Sequence, residues 1–274
     1  MPRSQLLETE GFNQLAAAKD GYLLYNRNDE YIGRSVQKYG EYSALEMELF
    51  KHVCVAGNCV IEAGANIGTH TVGLARLVGS QGRVLAFEPQ RLVFQTLCAN
   101  VALNSLTNVD CYWAALGSQE GVVTVPEADP DRHSNFGGMA LGGVQKGAPI
   151  SCFTLDRFIA LPRVNLIKID VEGMEAEVLR GGEQILRKFK PLLYVENDRV
   201  EQSEALIRLI AGFGYRLFWH LPPLFNPNNF YADGEDRYPG IVSINMLCLH
   251  RDSGVRIEGL EEVDDPSFHP LRRP

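Results

Sequence analysis

Cys59-Val60-Ile61-Glu62-Ala63-Gly64-Ala65-Asn66-Ile67-Gly68-Thr69 is the stretch on which the fold of this chain turns. An apolar run ends in an acid, a turn of small residues follows, and a helical pattern begins. The next apolar run, Val84-Leu85-Ala86-Phe87, ends in Glu88-Pro89. That is the layout of a nucleotide-binding βαβ unit. Gly64 lets backbone approach a ligand, amides at the start of the next helix can hold an anionic group, and a second acid can accept both hydroxyls of a ribose.

The spacing is not GxGxxG, because the glycines stand four apart with Asn66 between them. A pyrophosphate wants the third glycine and a close helix. An amino-acid tail needs less room and wants an anion for its ammonium, which Glu62 can supply. The spelling therefore favours S-adenosylmethionine (SAM) over NAD. The candidate cofactor residues are Glu62, Gly64, Ala65, Asn66, Gly68, Thr69, Glu88 and Pro89. Ala115, at the end of the strand expected over 109–115, would leave a slot for adenine.

Working outward, apolar runs alternate with helical patterns. Strands are expected at 59–63, 84–87, 109–115, 166–169 and 192–195. Helices are expected at about 41–53, 66–78, 91–103, from 174 with a break at Gly181-Gly182, and at 201–213. In the first of these, Leu45, Leu49 and Val53 recur on one face. Tyr215–Trp219 and Ile244–His250 have no helix between them and fit an antiparallel closing pair. Such alternation implies an α/β fold, a Rossmann-like and mainly parallel sheet with helices on both faces. Residues 1–56 read as a lead-in or cap segment, loose or helical over the first twenty residues. The main domain is 57–252, and 253–274 is a tail. Val122–Val125 suggests a hairpin extension, and Phe153–Ala160 a short helix.

A second motif, Ile167-Lys168-Ile169-Asp170-Val171-Glu172-Gly173-Met174-Glu175, ends a strand at the edge that faces the ligand crevice in open α/β sheets. Asp170 and Glu172 can take a proton, bind a metal or anchor an ammonium. Lys168 can orient a carboxylate or depress its pKa. Glu196-Asn197-Asp198 and His220 follow later strands at the same edge. Asp170, then Glu172, then His220 are the candidate proton acceptors. Asp170, Glu172 and Glu196 could together hold Mg²⁺, and nothing in the sequence fixes whether they do.

Composition excludes some classes. Of 274 residues, 45% are hydrophobic, enough for a sizeable core, and the formal net charge of −8 argues against a nucleic-acid partner. No apolar run approaches the roughly 20 residues of a membrane span, and the start lacks the apolar core of a leader. Six cysteines without a CxxC pair suit a reducing compartment and a cytoplasmic location. A homo-oligomer is compatible with these numbers. There is no GxxxxGK[ST] loop, HExxH or GxSxG elbow.

Together, Val60–Gly68, Phe87-Glu88-Pro89, Ala115-Leu116-Gly117 and Ile169–Glu175 resemble the FkbM family of SAM-dependent methyltransferases, over about 40–250. The resemblance implies a seven-stranded class I methyltransferase sheet, with SAM over the ends of the strands at 59–63, 84–87 and 166–169. It also implies O-methylation of a hydroxyl on a sugar, glycan or natural product. The family usually opens its first motif with Asp, where this chain has Glu62. It often carries a His near the acid that here is Glu196-Asn197-Asp198. Two other readings stand beside it: an inactive binding protein on the same fold, and an NAD(P)-linked oxidoreductase. The glycine-rich loop at 126–149, with Ser134-Asn135-Phe136-Gly137-Gly138-Met139, is expected to close over the acceptor. The segment from Trp219-His220 to Asn229-Phe230-Tyr231 is expected to form another wall.

Overall fold

The computed structural model describes residues 5–8, 10–138 and 146–272. Its central element is the strand β4 (Cys59–Ala63), every residue of which is buried. Being covered on both faces, it reads as a continuous apolar run rather than an alternation.

Before β4 come β1 (Gln5–Glu8), β2 (Asn13–Ala18), β3 (Gly21–Asn26), α1 (Ile32–Tyr39) and α2 (Ala44–Val53). After it come α3 (Thr69–Val78), β5 (Arg83–Phe87), α4 (Arg91–Leu103), β6 (Val109–Tyr112), β7 (Ala115–Leu116), β8 (Gly121–Val125) and β9 (Ala148–Phe153). The remainder is β10 (Leu166–Ile169), α5 (Glu175–Arg180), α6 (Glu183–Phe189), β11 (Leu192–Glu196), α7 (Val200–Gly212), β12 (Tyr215–His220), β13 (Asn245–His250) and β14 (Glu261–Glu262).

The main sheet has the order β14-β12-β13-β11-β10-β4-β5-β6. Pairings from β11 through β6 are parallel, and β13 runs antiparallel to both β11 and β12. These are the seven strands expected of a class I methyltransferase sheet, plus β14 at the edge.

The period of two sorts the strand residues between two cores. Val60, Val84, Leu166 and Tyr194 face α2 and α3, packing with Met47, Phe50, Leu74 and Val78. Ile61, Leu85, Ile167 and Leu193 face the other way, toward Val178, Leu186, Ile207 and Ile210 of α5, α6 and α7. Glu62 and Lys168, opposite one another in the β4–β10 register, share parity with Val60 and Leu166. The same alternation therefore puts both charges on the α2/α3 face.

Several expectations change. The first twenty residues are neither loose nor helical over their described part: β1, β2 and β3 form an antiparallel sheet. It is tied to α4 by Asn100, whose side chain accepts from the Leu24 N–H at 2.6 Å and donates to the Leu24 carbonyl at 3.0 Å. The strand expected over 109–115 stops at Tyr112, and Ala115-Leu116 crosses to a separate sheet beside β9. The partner of β8 is likewise β9, giving the order β7-β9-β8. The short helix expected over 153–160 is a single 3₁₀ turn, Leu155–Phe158. The helix breaks at Gly181-Gly182 as expected, and residue 181 must be glycine because a Cβ there would lie 2.0 Å from the Gly117 carbonyl oxygen. The tail is anchored by His269, whose Nε2 lies 2.8 Å from the Asn197 carbonyl oxygen.

Candidate functional site

Strand order reverses between β4 and β10, since β5 and β6 follow β4 in one direction and β11 follows β10 in the other. Ligands of open α/β sheets bind outside the carboxyl ends of the strands at such a point. Here Gly64 (φ +79°) carries the chain across the end of β10, and a Cβ on it would fall 1.8 Å from the Asp170 carbonyl oxygen. Only glycine permits both the approach and the left-handed backbone. A cavity of about 350 Å³ opens above this contact.

The second acid is prepared on one side of the cavity. Glu88 accepts from the Asn66 N–H at 3.0 Å and from the Gln90 N–H at 2.8 Å. It is almost fully buried, and burial lifts its pKa to about 7 against the pull of those two amides. Each oxygen keeps a lone pair for a further donor.

Lys168 is 2% exposed and donates to Asp170 at 2.9 Å. Burial opposes its charge, but Asp170, Glu62 and Glu46 outweigh burial and raise its pKa. Asp170, 38% exposed at its side chain, is pulled below the usual carboxylate range, because Lys168 outweighs the desolvation that would raise it. Glu172 sits at φ +55°, a left-handed conformation that costs a non-glycine residue about 1–2 kcal/mol. Glu175 clamps this turn by accepting from the Val171 and Gly173 N–H groups. Desolvation, then Asp170, raises the Glu172 pKa to about 7 against the attraction of Arg199, which donates to it. Glu196 is pushed well above the ordinary value by burial and then by Asp170, and its Oε2 lacks a hydrogen-bond partner.

One oxygen each from Asp170, Glu172 and Glu196 lie within 4.8 Å of one another. That donor set suits a hard cation. Lys168 and Arg199 already engage two of the three, however, so the geometry by itself assigns no metal here.

The cavity brings together Gly64, Ala65, Asn66, Thr69, Glu88, Pro89, Asp170 and Glu172 from the sequence reading. Four candidates do not line it. Glu62 lies beneath, 1% exposed, accepting from Thr71 Oγ1 at 2.6 Å. Gly68 is the left-handed N-cap of α3, packed so that a Cβ would press Leu97 at 2.7 Å. Ala115 is buried against Cys152 in the smaller sheet. The His220 Nδ1 lies 2.8 Å from the Tyr194 hydroxyl, and burial lowers its pKa.

Of the loop residues, Asn135, Gly137 and Gly138 line the cavity, while Met139 lies outside the described residues. Of the segment expected over 219–231, Leu224 lines the cavity, and the rest of that wall comes from Ile241–Asn245. Asn229 is buried, donating to the carbonyls of Asn226 and Asp233 within its own loop.

Sequence reasoning missed Tyr42, Ser43, Glu46 and His70, which line the cavity from α2, its N-terminal approach and α3. The buried face of α2 is Ala44, Glu46, Met47 and Phe50, not the half-buried Leu45, Leu49 and Val53. A signal existed: Met47, Phe50 and Cys54 stand at i, i+3 and i+7, and Glu46 lies beside that stripe.

The methyltransferase FkbM domain model matches residues 62–217, more than half of the chain. The chain belongs to the methyltransferase FkbM domain family. Methyltransferase 1 of Beauveria bassiana is 29% identical over 143 residues, covering 44% of this chain and 57% of that protein. The hexuronic acid methyltransferase AglP of Haloferax volcanii is 31% identical over 120 residues, 44% of this chain and 48% of that protein. The chain thus spans about half the length of these curated relatives. Among solved structures, the methyltransferase FkbM from Methylobacillus flagellatus superposes with a TM-score of 0.46 at 17% identity, covering 80% of this chain and 55% of that one. Within this FkbM-domain chain, the matched segment begins at Glu62, so Tyr42, Ser43 and Glu46 enter the cavity from outside it. Among the described residues, no helix is long and apolar enough to cross a membrane.

Proposed function

We propose that this protein transfers a methyl group from SAM to a hydroxyl of a sugar, glycan or natural-product acceptor, with 57–252 as the catalytic unit and 1–56 supplying one wall. The observation that carries the reading is charge. Glu46, Glu88, Asp170, Glu172, Glu196 and Asp198 line the cavity against only Lys168 and Arg199. Burial lifts Glu46, Glu88, Glu172 and Glu196 above their ordinary values. A sulfonium and an ammonium would draw them back to the ionised form, where a dinucleotide pyrophosphate would oppose it.

When bound, SAM supplies an electrophilic methyl group on sulfur. The chain's own residues then have separable tasks. Glu88 accepts the ribose hydroxyls, and the Gly64–Asn66 backbone lies along the donor. A carboxylate at the Asp170/Glu172 edge takes the acceptor's proton as the new bond forms. Positioning the acceptor oxygen in line supplies much of the rate. The relative named as a hexuronic acid methyltransferase supports a sugar-type acceptor.

Calorimetric titration with SAM, S-adenosylhomocysteine and NADH tests the donor. Binding of the two adenosyl ligands and not NADH is expected, and failure of both would sink the reading. Labelled SAM, incubated with fractionated glycans and metabolites, then identifies the acceptor.

A pH effect follows from the same carboxylates. Glu46, Glu62 and Glu88 have ordinary values near 4.5 and are lifted to about 7, chiefly by burial. Their folded pKa exceeds the unfolded one, so the stability they contribute is complete below pH 4.5 and is lost as pH rises toward 7. The ligand-free protein should melt at a lower temperature at pH 8 than at pH 5.5. The rise in melting temperature caused by SAM should be larger at pH 8, where a cation meets ionised carboxylates. A SAM-induced rise that is greater at pH 5.5 would contradict this.

A further inference from the structure

One acceptor in the cavity lacks the donor that its burial demands, and a buried carboxylate stands beside it. His70, one residue inside α3, is 5% exposed and lines the cavity. One ring nitrogen is hydrogen-bonded to the Ser43 backbone, and desolvation holds the imidazole neutral, at a pKa of about 3. Its Nε2 is buried with no hydrogen-bond partner. A neutral ring that donates through one nitrogen presents a lone pair at the other. Glu46 Oε2 lies 3.8 Å from that lone pair, too far for a hydrogen bond between them. Glu46 is 4% exposed, and its other oxygen accepts from Asn245 Nδ2 at 3.3 Å. Ser43 and Ser243 also hydrogen-bond the carboxylate, so it adds charge beside His70 rather than a second orphaned acceptor.

We infer that Glu46 and His70 hold the ammonium of the amino-acid tail of the methyl donor. This rests on the SAM reading above and moves the ammonium from Glu62, which is roofed over and bonded to Thr71. A nitrogen about 2.9 Å from both acceptors fits across the gap, and an ammonium offers three donors where a hydroxyl offers one. Charge agrees: Lys168 is the one cation shared by Glu46, Glu62 and Asp170. An unpaired buried Nε2 is costly, and a bound ammonium would remove that cost. The consequence is that a residue of α2, outside the matched domain segment, selects an α-amino acid tail.

Titration of wild type and Glu46→Gln with S-adenosylhomocysteine and with 5′-methylthioadenosine, which lacks the tail, tests this. Glu46→Gln keeps shape and loses charge. It is expected to weaken S-adenosylhomocysteine about 10- to 100-fold, the worth of a charge-assisted hydrogen bond. Its affinity for 5′-methylthioadenosine should stay within about twofold of wild type, against that same scale. Equal losses for both ligands, or no loss for either, would overturn the inference while leaving SAM as donor. Binding of no adenosyl ligand by wild type would overturn the SAM reading as well. Should Glu46→Gln not fold, His70→Phe, which fills the space without an acceptor, carries the same comparison.

Discussion

Lys168→Met is expected to lower the free energy of unfolding by about 3–5 kcal/mol, the range seen when one partner of a buried charge pair is removed. Lys168 sits on the central strand β10 with its side chain 2% exposed. By register it stands between Glu62 on β4 and Tyr194 on β11. It is salt-bridged to Asp170 and attracted by Glu62 and Glu46. Methionine matches its length and adds no new polar group. What the substitution leaves behind is the problem: three carboxylates on the α2/α3 face with no cation among them. Glu62 already has one oxygen with no hydrogen-bond partner. The chain can recover part of the loss by keeping Glu46 and Glu62 protonated, so the deficit should be larger at pH 8 than at pH 5. Urea unfolding at both values measures it, with a midpoint shift of more than about 1 M expected at pH 8. A loss below about 1 kcal/mol, or one independent of pH, would mean that Lys168 is not the counter-ion of this face.

Lys168 also shows where the sequence stops being informative. Its place two residues before Asp170 is enough to expect that it orients a carboxylate or depresses its pKa, and it donates to Asp170 and pulls that group below its ordinary value. The partnership with Glu46 is not readable, because 122 residues and a sheet crossover separate the two. The same boundary runs through the fold. Strands β4, β5, β10 and β11 announce themselves as short apolar runs ending in acids, since both of their faces are covered. The strand β2, Asn-Gln-Leu-Ala-Ala-Ala, does not: alanine prefers helix. The structure overrides that preference because β2 pairs with β3, and Asn100 of α4 fastens β3 through its backbone. Ala115 fails for a related reason. Local pattern extends the third strand through it, whereas the chain turns out at Trp113 to give β9 a parallel neighbour. Glu88 was legible because its two nearest partners, the amides of Asn66 and Gln90, belong to the motifs that surround it. Glu46 and His70 were not, because each by itself is an ordinary polar residue on a helix.

Glu172→Gln is expected to reduce turnover by about 10²- to 10⁴-fold, the usual worth of a general base, while leaving SAM affinity within a few-fold. The order of candidates from the sequence put Asp170 first, and the electrostatics favour its neighbour. A base works best with a pKa near the working pH. Asp170 is held ionised below its ordinary value by Lys168, which makes it a weak proton acceptor. Glu172 is lifted to about 7, by desolvation first and by Asp170 second. Its backbone is fixed in a left-handed turn by Glu175, an expenditure of strain of the kind found where a side chain must be aimed. Glutamine preserves volume and can still accept from Arg199, so the fold should be untouched. In wild type, turnover should rise with pH through the titration of Glu172 near 7 and level off above it, because the ionised form is the competent one. The variant should lose that limb. Asp170→Asn should behave differently, losing stability and donor affinity through the stranded Lys168 more than it loses kcat. Steady-state kinetics across pH 5.5–8.5, with kcat and KM separated for the three proteins, decide the assignment. A Glu172→Gln enzyme with turnover within about threefold of wild type and an unchanged pH profile would return the role to Asp170 or to a water that it orders.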